Sequence, residues 1–340
     1  MKQQDIDQLM HCKELQESNG KLSLIQTHIS WVILTEKHAF KIKKPVNFIF
    51  LDFSTLEKRK HYCEREVELN KRLADDMYLR SVPIYKKNDS YSFIKQEGEI
   101  IEYAVLMNRM DTSREMDKLL LTEQVTEREI EKLAKKVADF HRQSTVIKKA
   151  IAINSIKTRF NDIEEVLKLV ISPVAETFAP VMREAIEISN NFLDKHQLYI
   201  KERALNGFVR DVHGDLHMGN IFLYDEPVIF DCIEFNDELR EMDILDEIAF
   251  LGMDLDAYGR NDLSEHLYKK YLQYSGNEES VQTALLFRYF KYYRANIRAK
   301  VYLLNALEMS DPKLYQEKIK SAERYINLIK QYSLEFKQLQ

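Results

Sequence analysis

Apolar and polar positions change rhythm along the chain, and the change divides it. Residues 22–34 alternate in part, Lys37 and His38 can turn the chain, and Ala39-Phe40-Lys41-Ile42-Lys43 puts Phe40 and Ile42 on one face and both lysines on the other. Val82-Pro83-Ile84-Tyr85 and Tyr91-Ser92-Phe93-Ile94 read as strands around the turn-forming Asn88-Asp89-Ser90, and residues 100–107 as a buried strand. Helical spacing appears first at Ile6, Leu9, Met10 and Leu15 in a polar stretch over residues 5–18. It returns after Ser54 and Glu57, spaced as a capping box, with Val67, Leu69 and Leu73 behind them. From Thr126 and Glu129, a second capping box, the pattern is helical: Ile130, Leu133, Val137, Ala138 and Phe140-His141 form one stripe. Residues 150–207 continue as helix, with breaks expected at Pro173 and Pro180. The pattern predicts an α+β chain whose strands come early.

One stretch fits neither rhythm. Val209-Arg210-Asp211-Val212-His213-Gly214-Asp215-Leu216-His217-Met218-Gly219-Asn220-Ile221-Phe222 sets histidines, acids and an amide around two of the chain's eight glycines, and Val228-Ile229-Phe230-Asp231 follows. A turn explains one Asp-Gly pair, but not the whole ordered set. His213, Asp215 and Asn220 have the spacing of the kinase catalytic loop, His-Arg-Asp followed by Asn five residues after the Asp. Phosphoryl transfer needs a carboxylate to take the proton of the attacking hydroxyl, and an amide oxygen with a second carboxylate to hold a hard cation on the phosphates.

With glycine for the arginine of His-Arg-Asp, and Cys232-Ile233 where protein kinases have Phe-Gly, the motif resembles the aminoglycoside phosphotransferase and choline kinase branch of the protein-kinase-like fold. The resemblance implies a bilobal α+β architecture. A small antiparallel-sheet N-terminal lobe with one helix would occupy residues 1–107, and a larger, mainly helical C-terminal lobe residues 108–340. It implies Asp215 as catalytic base, Asn220 and Asp231 as metal ligands, and ATP and Mg²⁺ as cofactors. In such a fold a lysine on the third strand binds the phosphates and pairs with a glutamate on the next helix. Lys41 and Lys43 both qualify, Lys41 first. Arg65-Glu66-Val67-Glu68-Leu69 resembles the family's Arg-Glu helix, which makes Glu66 the expected partner; Glu68 lies about 200° away around a helix, so the two cannot both face the site. Residues 107–110, with Met107 and Met110, take the place of the adenine-binding connector, although an ordinary strand end has the same pattern. No glycine lies between residues 22 and 41, so Thr27, Ser30 and the backbone between them must stand in for a Gly-rich phosphate loop, unless they only cap a tight turn.

Charge adds two open readings. Glu234, Asp237, Glu238, Glu241, Asp243, Asp246, Glu247, Asp254 and Asp256 form an acidic run that could draw a cationic acceptor or lie on a solvated helix face. Phe287, Tyr289, Phe290, Tyr292 and Tyr293, followed by Arg294, Arg298 and Lys300, could stack bases or pack a core. A net charge of -5 argues against a general nucleic-acid partner. Three cysteines without a Cys-x-x-Cys pair give neither a disulfide framework nor a zinc finger, and no run reaches the ~20 apolar residues of a membrane span. A cytoplasmic protein is expected.

The principal reading is an ATP- and Mg²⁺-dependent phosphotransferase acting on a small-molecule hydroxyl. A metal-dependent hydrolase built on His213, Asp215, His217 and Asp231 is a second, and a nucleotide-binding scaffold without catalysis a third. His217 and His141 read more simply as packing residues.

Overall fold

The computed structural model describes residues 1–16, 22–48, 51–94, 98–170 and 173–338. They divide into two compact units. One comprises residues 1–124 with 213–215 and 219–240, the other residues 125–212 with 216–218 and 241–340.

The first unit opens on α1 (Gln3–Leu9) and a single turn at Lys13–Leu15, shorter than the helix expected over residues 5–18, of which 17 and 18 lie outside the described residues. The strands β1 (Ser23–Gln26), β2 (Ser30–Leu34) and β3 (His38–Lys43) follow, then the two-residue pair β4 (Asn47–Phe48) and β5 (Leu51–Asp52), and α2 (Leu56–Ala74). After α2 come β6 (Tyr78–Lys87), β7 (Ser90–Ser92) and β8 (Glu99–Asn108), and α3 (Met116–Leu121). Six of these strands form one antiparallel sheet in the order β1-β2-β3-β8-β6-β7. Alternation along β3 sorts its side chains between two cores. Phe40 and Ile42 join Ile6, Leu9 and Leu15 on the α1 side, whereas Ala39 joins Cys63 and Ala74 of α2 on the other, the face that also carries Lys41 and Lys43. Thr55, not Ser54, caps α2: the Thr55 hydroxyl accepts from the Lys58 N–H, while Ser54 turns back and donates to Asp52. A buried ion pair, Arg59 to Glu102 at 2.8 Å, ties α2 to β8. All three cysteines are buried free thiols.

The second unit is mainly helical, with α4 (Glu127–Gln143), α5 (Ile153–Asn161), α6 (Ile163–Leu169) and α7 (Pro173–Leu205). Pro173 begins α7 as expected, but Pro180 lies inside it rather than breaking it. A proline removes one intrahelical donor, and the turns on either side keep the long helix continuous. Thr126 and Glu129 form the expected capping box at α4, and Thr126→Ala should cost about 1 kcal/mol, read as a lower urea midpoint. Next, β9 (Val209–Asp211) leads into the loop of residues 213–220. The short β10 (Ile221–Phe222) and β11 (Val228–Ile229), which pair with each other in the first unit, follow, and then β12 (Glu241–Asp243) returns antiparallel to β9 with Val209 opposite Asp243. The chain ends with α8 (Ile244–Ala257), α9 (Asn261–Ser275), α10 (Val281–Leu307) and α11 (Pro312–Gln338).

The α8 part of the acidic run is no solvated face, whereas Asp237 and Glu238 before it are exposed. Thirteen of the fourteen residues of α8 are buried, acids included. Asp246 pairs with Arg294 at 2.6 Å, Glu247 with His141 at 2.7 Å and Asp256 with Lys291 at 2.7 Å, and Asp254 accepts from the Tyr325 hydroxyl at 2.6 Å. Buried carboxylates persist only with such partners. His141 also bonds the Tyr271 hydroxyl at 2.8 Å, a core histidine as its stripe suggested. The aromatic residues of α10 are core as well, from Phe287 to Tyr293, with Arg294 buried among them. Among the described residues no helix is long and apolar enough to cross a membrane.

Candidate active site

Four consecutive peptide groups show how the site is assembled within the first unit. The N–H of Phe230 donates to the Asn220 carbonyl at 3.0 Å, that of Asp231 to the Tyr78 hydroxyl at 3.2 Å, that of Cys232 to Asn70 Oδ1 at 2.9 Å, and that of Ile233 to the His213 carbonyl at 3.2 Å. The segment carrying Asp231 is thereby held by the loop of residues 213–220 on one side and by α2 and β6 on the other. Asp231 itself has φ +63, a left-handed backbone that a non-glycine residue adopts at some cost and that recurs at functional positions.

His213 ties the two acids together. Its Nε2 lies 2.9 Å from the Phe230 carbonyl, which can only accept, so Nε2 carries the hydrogen; Nδ1 accepts from the Asp215 N–H at 3.3 Å. Both ring nitrogens are thus engaged in placing Asp215 and Asp231. Gly214, between them, has φ +89. Asn220 closes the circuit: its amide nitrogen donates to the Asp215 carbonyl at 3.0 Å and to Asp215 Oδ2 at 3.1 Å, which turns its amide oxygen away from Asp215. Asp215 and Asn220 are thus in direct contact, and the backbone of Phe230, just before Asp231, is bonded to Asn220 and to His213.

Lysines arrive from β3. Lys41 Nζ lies 2.8 Å from Glu66 Oε1 and 2.5 Å from Asp231 Oδ1, and Lys43 Nζ lies 2.6 Å from Glu66 Oε2 and also pairs with Glu234. The choice between the two lysines resolves into a division: both hold Glu66, but only Lys41 reaches Asp231. Burial alone would lower the Lys41 ammonium, yet the carboxylates of Asp231, Glu66 and Glu234 hold it well above its ordinary value. Burial also works against Glu66, and the two ammoniums overcome it and hold the carboxyl below the usual range. At Glu234 burial wins over the pull of Lys43, and its carboxyl is pushed up.

Other expected residues lie in simpler places. The Thr27 hydroxyl accepts from the N–H groups of Ser30, at 2.9 Å, and Ile29, at 3.3 Å, and so pins the β1–β2 turn, while the Ser30 hydroxyl is buried. Met107 is buried near the end of β8, and Met110 packs partly buried on the same cluster as Ala39, Phe222, Tyr224 and Phe230. Phe222 and Phe230 stack with centroids 4.9 Å apart. These aromatic residues, with Tyr78, Asn70 and Glu234, are site residues that sequence reasoning missed. For Phe222 and Phe230 a signal existed, since each adjoins a motif residue or follows it closely. Tyr78 and Asn70 had none.

No family model matches the sequence. Uncharacterized proteins of Mycobacterium tuberculosis and Mycobacterium bovis are 31% identical over 280 residues, which make up 81% of this chain and 53% of theirs. The chain thus spans about half the length of the curated relatives it matches. Among solved structures, a choline/ethanolamine kinase family protein from Mesorhizobium loti matches with TM-score 0.54 at 13% identity, over 96% of this chain and 99% of that one. Wild-type aminoglycoside 2'-phosphotransferase-IIIa, solved with GDP, gives 0.55 at 12%, over 96% and 99%. Spectinomycin phosphotransferase, solved with ADP and spectinomycin, gives 0.51 at 12%, over 93% of each chain. The chain therefore has the kinase-like fold that aminoglycoside phosphotransferases and choline/ethanolamine kinases share.

Proposed function

We propose that the chain is a phosphotransferase that moves the γ-phosphoryl group of ATP to a hydroxyl of a small molecule. The observation that carries this reading is the hydrogen-bonded circuit joining Asp215, Asn220, His213 and the Asp231 segment, with Lys41 and Glu66 closing on Asp231. Asp215, steadied through Oδ2 by Asn220, orients the attacking hydroxyl and takes its proton. Lys41, on the more open side of the cluster, binds the phosphates, and Glu66 aims it. Asn220, through its outward amide oxygen, and the half-exposed Asp231 suit Mg²⁺, which accepts few protein oxygens and keeps phosphate oxygens and waters; the ion would neutralise charge on the phosphates. Catalysis is then mostly positioning and charge compensation.

The base would occupy the apolar surface of Ala39, Met110, Phe222, Tyr224 and Phe230. In the connector, the N–H groups of Asn108, Arg109 and Asp111 are engaged by Met77, Lys37 and Tyr224, whereas that of Met110 has no such bond among the described residues. Met110 is the amide available to adenine. The turn at Thr27 spends the N–H groups of Thr27, Ile29 and Ser30 on bonds within itself, and the Thr27 carbonyl accepts from Lys44 Nζ at 2.5 Å, so the charge of the phosphates would fall to Lys41 and the metal ion.

The hydrolase reading loses its first ligand, since both nitrogens of His213 are engaged; no cluster of three His, Cys, Asp or Glu able to hold a metal occurs among the described residues. The acceptor class is open to test. The α8 acids are paired internally, so they give no ground for preferring a cationic acceptor over a neutral one. ADP production from ATP and Mg²⁺ over a panel of hydroxylated metabolites and amino sugars tests the proposal. Lys41→Met should weaken ATP binding by at least about tenfold in calorimetry, the loss of one charge-assisted bond or more. Unchanged affinity would remove Lys41 from the site.

A further inference from the structure

The buried half of the lysine cluster has no counterpart in the chemistry assigned above. Exposure falls steadily inward: Asp231 is 45% exposed and Lys41 14%, whereas Lys43 is 1%, Glu66 0% and Glu234 5%. Lys43 also sits over the Phe53 ring, 4.8 Å from its centroid, which closes the inner side with apolar wall. Ligands can reach the outer pair but not the inner three.

We infer that Lys43 and Glu234 are positioning residues of the nucleotide and metal site: Lys43 keeps Glu66 paired when phosphates claim Lys41, and through Glu234 it fixes the segment that carries Asp231. The inference rests on the phosphotransferase reading. Two observations support it. Glu66 divides its oxygens, Oε1 to Lys41 and Oε2 to Lys43, so a phosphate that draws Lys41 outward leaves Glu66 with one ammonium instead of none. A fully buried carboxylate deprived of every partner would be costly, and the rearrangement would be opposed. Secondly, Glu234 lies three residues beyond Asp231, whose own backbone is held in a left-handed conformation, and its anchor is the same ammonium. Lys43 therefore serves the α2 glutamate and the Asp231 segment at once. Neither Lys43 nor Glu234 touches a ligand.

Calorimetry with ADP across a Mg²⁺ series, on the full chain and its variants, tests this. Glu234→Gln preserves shape and the Lys43–Glu66 pair. It should raise the Mg²⁺ concentration needed for half-maximal ADP binding by about 10–100-fold, as loss of a group that supports a metal ligand does, with ADP affinity at saturating Mg²⁺ within about threefold. Lys43→Met should raise the same requirement, and the double variant should be no worse than Lys43→Met alone, because both act through one link. An unchanged Mg²⁺ requirement in Glu234→Gln, or additive effects in the double variant, overturns the inference. If Lys43→Met does not fold, Glu234→Gln decides alone. Failure of the unsubstituted chain to bind Mg-ADP would sink the phosphotransferase reading, and this inference with it.

Discussion

Asp215→Asn is expected to lower phosphoryl transfer by about 10²–10⁴-fold, the usual contribution of a positioned general base, while leaving Mg-ADP affinity nearly unchanged. Asparagine is the informative replacement because it keeps the local structure. Asn220 can still donate to the side-chain oxygen at position 215 and to the Asp215 carbonyl, and the N–H of residue 215 can still reach His213 Nδ1. What disappears is the acceptor for the hydroxyl proton. ADP production with the best acceptor of the panel measures the effect, and calorimetry checks that the nucleotide still binds. Normal turnover in this variant would defeat the assignment of Asp215 and leave the fold as the main link to kinases.

Gly214→Ala is expected to damage both stability and activity. At φ +89 an L-residue is strained, and a Cβ built at Gly214 lies 3.0 Å from the Leu239 carbonyl oxygen, 3.2 Å from Arg240 Cγ and 3.2 Å from Ile233 Cδ1. The nearest of these is backbone, and Arg240 cannot give way easily, being fully buried and donating to the Ile233 carbonyl at 2.7 Å. Backbone strain and overpacking together should cost about 2–5 kcal/mol. Because the displaced atoms belong to the segment that follows Asp231, turnover should fall beyond what the lost stability explains. A thermal or urea midpoint equal to that of the unsubstituted chain would show that the loop accommodates a side chain. The same contacts explain why the motif reads His-Gly-Asp here: an arginine side chain would start into Leu239 and Arg240.

What could be read in the sequence was what lies close together along it. His213, Asp215 and Asn220 share one loop, and alternation alone put Lys41 and Lys43 on one face of β3. Glu66 followed from the likeness of Arg65-Glu66 to the family's helix, and helix geometry added only that Glu66 and Glu68 cannot both face the sheet. The unread parts depend on partners far along the chain. Lys43 finds Glu234, and Tyr78 finds the Asp231 N–H, across stretches that no period or spacing spans. The α8 acids misled for the same reason. Asp246, Glu247 and Asp256 count as surface charge in composition, but Arg294, His141 and Lys291, from other helices, make their burial tolerable. At the start of α2 the capping-box spacing pointed to Ser54, but a bond to Asp52 takes Ser54 away and its neighbour Thr55 caps the helix. Thr27 and Ser30 were chosen for their hydroxyls, yet one hydroxyl shapes a turn, the other is buried, and the N–H groups of Thr27, Ile29 and Ser30 are bonded within that turn.

The pairing of β9 with β12 makes residues 212–240 an excursion that leaves and returns through a single stem. Closing such a loop costs entropy that grows only slowly with its length, so thermodynamics would tolerate extra residues within it. Geometry would not. With both ends fixed at the stem, a residue inserted into β10 or β11 would displace Asn220 or Asp231, whereas the tip at Asp225 and Glu226, between β10 and β11, is where sequence length can drift without moving either.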